Sequence, residues 1–265
     1  MPSFPAIILA AGQGRRLGRL TRLRPKCLLR VGPRSLLDHQ WAALAANGID
    51  EVVVVAGYAS EVVRARLKAR ATLIVNERHA ETNSLYSLWL ARDTARQGFV
   101  LLNADVLFDP EILRRVLASP HPEALAVERR RAFQAEEMKV ELAGERIRAL
   151  SKTLAASRAH AENVGVLKFS AAGARVLFAA MERLMADSGE KQFCPYAFNA
   201  IAPRHPLYAV PIEGLPWIEI DFADDFERAR RDVWPAIEAR QQAASPVRAR
   251  RIRAAAGNRS LGAGN

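Results

Sequence analysis

The sequence predicts an α/β protein, a doubly wound, mostly parallel mixed sheet that carries an antiparallel substrate lobe. Three observations predict it. Short runs rich in Val, Ile and Leu recur at 5–11, 51–56, 72–76 and 99–103. Stretches with helical spacing lie between them, and such alternation requires crossovers and hence a parallel sheet. After about residue 123 closely spaced short strands take over, which read as antiparallel additions to the same sheet.

Each element follows from its own residues. The first strand, 5–11, runs straight into Gly12 and Gly14. A helix is expected over 35–47, where Leu36, Leu37, Trp41 and Leu44 repeat at helical spacing and Gly48 stops it. Residues 51–56 form the second strand, 59–69 a charged amphipathic helix, and 72–76 the third strand. The next helix, 83–95, sets Leu85, Leu88 and Trp89 on one side, and strand 99–103 ends at Asp105. The second half gives strands at 124–128, 137–142, 146–150 and 163–169, then helices at 171–187 and 192–201. Strands 207–211 and 217–220 and a helix over 222–240 complete it. We expect one domain, 1–239, with halves 1–122 and 123–239, and no internal repeat.

Composition bounds the function. The chain has 265 residues, 39 Lys plus Arg, 28 Asp plus Glu and a net charge of +11. Half of it is apolar and a quarter charged, which excludes wholesale disorder and collagen-like repeats. No apolar run approaches the roughly 20 residues of a membrane span. The opening MPSFPAIILAAGQG lacks a basic stretch before its apolar part and reads as a strand, not a signal peptide. The two cysteines, Cys27 and Cys194, exclude a disulfide scaffold and a Cys-rich zinc site. The cytoplasm is the expected compartment. From 240 onward there are six arginines and no acid, so this tail carries +6 and the body +5. The tail, 240–265, is expected to be disordered. Such a tail could touch nucleic acid or anionic lipid, but no aromatic is interleaved for base stacking. A solvated extension is preferred, with neither a membrane nor a nucleic acid as partner.

The glycine loop carries the chemistry. Glycines bring backbone N–H groups close to phosphate because no Cβ intervenes. The loop sits after a buried strand, where ligands of open α/β sheets bind. Its spacing is one residue too long for the dinucleotide fingerprint, and no Gly-Lys-Ser/Thr follows for a P-loop. Arg16 lies two residues after Gly14, and Pro25 stiffens the approach to Lys26. An Arg and a Lys flanking such a loop make a triphosphate clamp. Asp105 and Asp221 both follow strands, so both can reach the carboxyl edge of the sheet. Two carboxylates at a phosphate site suit Mg²⁺. Either acid alone reads equally as a helix cap. Glu219 alternates with Asp221 and can point the same way, while Asp224 and Asp225 suit the first turn of the last helix.

The stretch LAAGQGRRLGRLTRLRPKCLLRV, residues 9–31, resembles the signature of the nucleotidyltransferases that activate sugar phosphates and related phosphoesters. Gly12, Gly14, Arg16, Leu17, Thr21, Pro25, Lys26, Leu28 and Leu29 carry the match. The resemblance implies a Rossmann-like, GT-A-like fold whose halves 1–122 and 123–239 bind nucleotide and acceptor. It implies that Leu9, Ala10, Ala11, Gly12, Gln13, Gly14, Arg15, Arg16 and Lys26 bind the nucleotide, with Arg16 and Lys26 catalytic. It places Mg²⁺ on Asp105 and Asp221. The segment 81–93, ETNSLYSLWLARD, and the late Glu219-Ile220-Asp221 resemble the phosphocholine cytidylyltransferase-like branch. That branch implies CTP as the favoured NTP, a small phosphate or phosphonate ester as acceptor, and pyrophosphate release. It also puts Asn83 and Ser84 near the nucleotide.

The alternatives are UTP, GTP or dTTP with a sugar 1-phosphate, or a nucleotide-binding protein without turnover. A homodimer is compatible. For the acceptor, a quaternary ammonium wants an aromatic cage with an acid. The candidates are Phe193, Tyr196, Phe198 and Trp217 with Glu162 or Glu219, although helix packing is the preferred reading of the 193–198 aromatics. Lys152 reads as a surface lysine beside a weak echo of the family's substrate-phosphate motif. His79 and His160 lack metal-ligand spacing and read as surface residues.

Overall fold

The computed structural model describes residues 4–244. The first half lays down β1 (Ala6–Ala10), the small hairpin β2 (Arg30–Val31) and β3 (Arg34–Ser35), α1 (Leu36–Ala46) and β4 (Val52–Ala56). It continues through α2 (Ser60–Leu67), β5 (Thr72–Val75), α3 (Ser84–Leu90), β6 (Gly98–Asn103), β7 (Val106–Phe108) and α4 (Pro110–Ala118). The second half supplies β8 (Ala124–Arg129), β9 (Lys139–Ala143), β10 (Arg146–Ser151), β11 (Ala161–Ser170) and α5 (Ala171–Ala186). It ends with α6 (Cys194–Ile201), β12 (Tyr208–Pro211), β13 (Trp217–Glu219), α7 (Ala223–Arg228) and α8 (Trp234–Ala244).

Nine strands form the main sheet in the order β5-β4-β1-β6-β11-β8-β12-β10-β9. The β5-β4-β1-β6 block is parallel throughout. The insertion begins where β11 pairs antiparallel with β6. Only β10 and β11 run against the other strands, so the sheet is mixed with one prevailing direction. β1 lies between β4 and β6 with helices on both faces, so Ile7 and Ile8 are wholly buried, one toward each face. Burying each is worth about 1.5–3 kcal/mol.

The caps come from local chemistry. Ser35 Oγ accepts from the Asp38 amide at 3.2 Å and starts α1. Asn83, Asp109 and Ser170 begin α3, α4 and α5 in the same way. Outside the main sheet, β13 pairs antiparallel with β7, with Glu219 opposite Val106. That small ribbon brings residues more than a hundred positions apart to the same sheet edge.

Two expectations differ. β7 and α4 occupy 106–118, where no element was expected; β7 is only three residues long, and α4 starts with Pro110 at its first turn behind the Asp109 cap. The last helix does not end at 240. It passes through a π-helical turn over 229–233 and runs to Ala244. Arg240, assigned to the tail, donates to Asp109 Oδ2 at 2.8 Å and ties α8 to the start of α4. The remaining tail, 245–265, lies outside the described residues. Among the described residues no helix is long and apolar enough to cross a membrane.

Candidate active site

The site is built at the carboxyl ends of β1 and β6. Past Ala10 the chain turns through Gly14, whose φ of 66° is left-handed. A Cβ there would meet Lys26 Cβ and Thr21 Cγ2 at 3.3 Å, so the glycine lets Lys26 lie against the loop. Thr21 Oγ1 donates to the Gly14 carbonyl at 2.8 Å and closes the loop on itself. Pro25 then leads into a 3₁₀ turn, Lys26–Leu28, that aims Lys26 inward.

Lys26 Nζ donates to Asp105 Oδ2 at 2.9 Å and to Asp221 Oδ1 at 2.7 Å. Arg16 donates to the other Asp221 oxygen at 2.7 Å and to Glu136 at 2.8 Å. Its guanidinium lies over the Phe222 ring, 4.8 Å from the centroid. The β13–β7 pairing explains how the acids meet: it extends to a bond from the Ile220 amide to the Asp105 carbonyl at 3.1 Å. Asp225, on the first turn of α7, accepts from the amides of Asp221 and Phe222 at 3.1 and 2.9 Å and fixes the Asp221 backbone.

Carboxylate oxygens of Asp105, Glu219 and Asp221 lie within 4.8 Å of one another. Asp105 Oδ1 is buried without a hydrogen-bond partner. An orphaned carboxylate oxygen in a hard oxygen cluster fits a small divalent cation such as Mg²⁺. The electrostatics agree with a shared charge centre. Burial pushes the Glu219 carboxyl up to about 8, with Asp105 and Asp221 adding to it. Burial also opposes ionisation of Asp221, but Lys26 and Arg16 outweigh it and hold that carboxyl below its ordinary range. Burial works against the Lys26 charge, yet Asp105 and Asp221 keep its ammonium above the usual value.

Two hollows meet here. One, of about 280 Å³, is walled by Ala10, Gly14, Arg15 and Lys26. The other, of about 250 Å³, is walled by Ala11, Asn83, Ser84 and Glu219. Leu9, Gly12, Arg16, Asp105 and Asp221 border both. Gln13 borders neither; its Oε1 accepts from Arg15 Nε at 2.8 Å. Asn83 caps α3, and Ser84 Oγ accepts from the Cys194 amide at 2.9 Å, joining α3 to α6.

The expected acceptor cage does not form as a unit. Glu219 reaches the cavity, as do Phe193 and Phe198. Glu162 does not, because side chains alternate along β11: Asn163 lines the cavity and Glu162 faces away. There it pairs with Arg130 at 2.9 Å, and Arg130 also holds Glu128 and Glu137. Trp217 is also outside the cavity; it packs on the core, with Arg130 5.7 Å from its ring centroid. Tyr196 lies on the outer face of α6, 49% exposed.

Other residues line the cavity unannounced. Lys152, expected on the surface, has Nζ 3.4 Å from Glu136 and 5.3 Å from the Phe193 ring centroid. His79, also expected outside, is half-buried at the cavity wall, where Gly57 leaves room for its Cβ. The weak motif echo was a usable signal for Lys152. Nothing local marked His79 or Asn76.

Comparison with known proteins decides the class. The model of the MobA-like NTP transferase domain matches residues 6–199. The chain belongs to this family. This NTP transferase is 27% identical over 248 residues to a CTP:phosphoglutamine cytidylyltransferase of Campylobacter jejuni, covering 84% of this chain and 97% of that protein. It is 40% identical over 131 residues to a CMP-5'-(3-aminopropyl)phosphonate synthase of Streptomyces rubellomurinus, a match over 47% of this chain but only 20% of that protein. Among solved structures, a CTP:phosphocholine cytidylyltransferase of Streptococcus pneumoniae superposes with a TM-score of 0.73 at 21% identity, covering 86% and 98% of the two chains. That likeness shows the fold. The family match contains Lys26 and Asp105 and ends before Glu219 and Asp221, which the β13–β7 ribbon adds to the NTP transferase site.

Proposed function

We propose that this nucleotidyltransferase is a cytidylyltransferase that joins CMP from CTP to a small phosphate or phosphonate ester and releases pyrophosphate. The observation that carries the reading is Lys26 held between Asp105 and Asp221 beside the glycine loop. The cytidylyltransferase relatives support CTP.

An acceptor phosphate oxygen attacks the α-phosphorus in line, and the bond to the bridging oxygen breaks as pyrophosphate leaves. The acceptor is already anionic, so no protein nucleophile or strong base is required. Alignment and charge neutralisation supply the rate. The amides of 11–14, with Arg15 and Arg16, cradle the β- and γ-phosphates. Lys26 meets the charge building on the α-phosphate, a role worth about 3–4 kcal/mol by analogy with oxyanion donors. Asp105 and Asp221 would hold Mg²⁺, with Glu219 beside them; when bound, the ion would neutralise phosphate oxygens. Asn83 and Ser84 border the nucleoside.

The test is pyrophosphate release with Mg²⁺ and CTP, UTP, GTP, ATP or dTTP, each with a panel of phosphate and phosphonate esters and hexose 1-phosphates. CTP is expected to be preferred at least tenfold. A preference for UTP, GTP or dTTP with a hexose 1-phosphate contradicts the reading.

A further inference from the structure

We infer that the acceptor's organic part carries no positive charge: the site takes a hydroxyl- or amide-bearing phosphoester and discriminates against amino and quaternary ammonium ones. The inference rests on the cytidylyltransferase reading and narrows its substrate.

A cationic acceptor needs a carboxylate or a free aromatic face. Among the described residues, the cavity's carboxylates are Asp105, Glu219 and Asp221. They form one cluster around Lys26 and suit the metal, so none is left for an acceptor cation. The exposed aromatic at the acceptor end, Phe193, already faces a cation of this chain, Lys152 Nζ at 5.3 Å. The remaining aromatic–acid pair foreseen for a cation, Trp217 with Glu162, is taken by Arg130. Within the cavity this chain has thus supplied its own cation at the aromatic face where an ammonium could dock, and the neighbouring acid Glu136 is already shared by Arg16 and Lys152.

What remains toward the acceptor is positive or neutral. Lys152 adds positive charge, and Asn103 and Asn163 offer amides. Gly165, with φ of 77°, makes room for Asn103: a Cβ there would stand 2.7 Å from Asn103 Nδ2. An ammonium near Lys152 would meet like charge in a partly desolvated site, whereas hydroxyls or an amide find donors and acceptors.

Matched acceptors test this with the full chain, Mg²⁺ and CTP. One pair is choline phosphate and its uncharged isostere 3,3-dimethylbutyl phosphate. The other is ethanolamine phosphate and 2-hydroxyethyl phosphate. The uncharged member of each pair is expected to have a kcat/KM about a hundredfold higher. Lys152→Glu should shrink or invert that ratio, whereas a merely structural role would lower both members together. Equal or faster turnover of the cationic members by the unsubstituted chain upholds cytidylyl transfer and overturns the inference. Silence with every acceptor and every NTP overturns the cytidylyltransferase reading and the inference with it.

Discussion

Lys26 and Asp105 sit 2.9 Å apart under the glycine loop, and the proposed mechanism gives each a separate task there. Lys26→Ala removes charge stabilisation worth about 3–4 kcal/mol and Asp105→Ala removes a proposed Mg²⁺ ligand, so each should lower kcat at least about a hundredfold. Circular dichroism and melting should show both variants folded; near-normal turnover in either would remove these residues from the reaction. Glu162 gives a prediction of another kind. Burial, aided by Glu137 and Glu128, pushes its carboxyl from 4.5 to about 7 despite Arg130 and the nearby Lys139. A raised folded pKa means that the native state binds the proton more tightly. Its stabilising contribution is therefore full below about pH 4.5 and is lost as pH rises through about 7. The change is about 3 kcal/mol at most. Glu162→Gln should flatten the fall in Tm between those limits, and parallel Tm profiles for the two proteins would refute this. The pair also marks where sequence stops: whether Glu162 or its neighbour Asn163 faces the cavity depends on strand phase. The β11–β8 ladder shifts register between Asn163 and Leu167, around Gly165 with its φ of 77°; a glycine within a strand is the local sign of such a bulge, but it does not fix the phase of 162 and 163.

At the scale of elements, α8 is anchored by Trp234 and Ile237, buried in the core, and Arg240 adds an ion pair one turn further on. Arg240 is partly exposed, but Asp109 is buried and also caps α4 through the Glu111 amide at 2.9 Å. Arg240→Ala should cost about 1 kcal/mol and lower Tm by about 2–4 °C. An unchanged Tm would mean that the ion pair holds nothing. Composition placed Arg240 with the basic tail because its partner lies 131 positions away. The parallel strands were legible because their apolar runs end in Gly, Asn or Asp. The loop 9–31 was legible because its functional residues are contiguous. α4 was within reach too, since Asp109-Pro110 is a start signal, but the few residues between β6 and β7 masked it.

For the whole molecule, the glycine loop with Arg16 and Lys26 comes from one continuous stretch of chain, 9–31, whereas the wall proposed for the acceptor is assembled from β9, β10, β11, α6 and β13. The loop could be named from sequence because it is contiguous, and the two aspartates because each follows a strand, but the acceptor wall offers neither signal. Lys152, Phe193 and Asn163 become neighbours only through the antiparallel insertion. The activity proposed for the chain is transfer of a nucleotidyl group from CTP to a phosphoester. The most direct measurement supplies CTP labelled at its α-phosphorus, Mg²⁺ and an active acceptor, and follows the label and pyrophosphate together. The label is expected to enter a CMP–acceptor conjugate, with pyrophosphate appearing in equal amount. Label recovered only as CMP or CDP, without conjugate, would mean hydrolysis or β/γ cleavage and would contradict the proposed transfer.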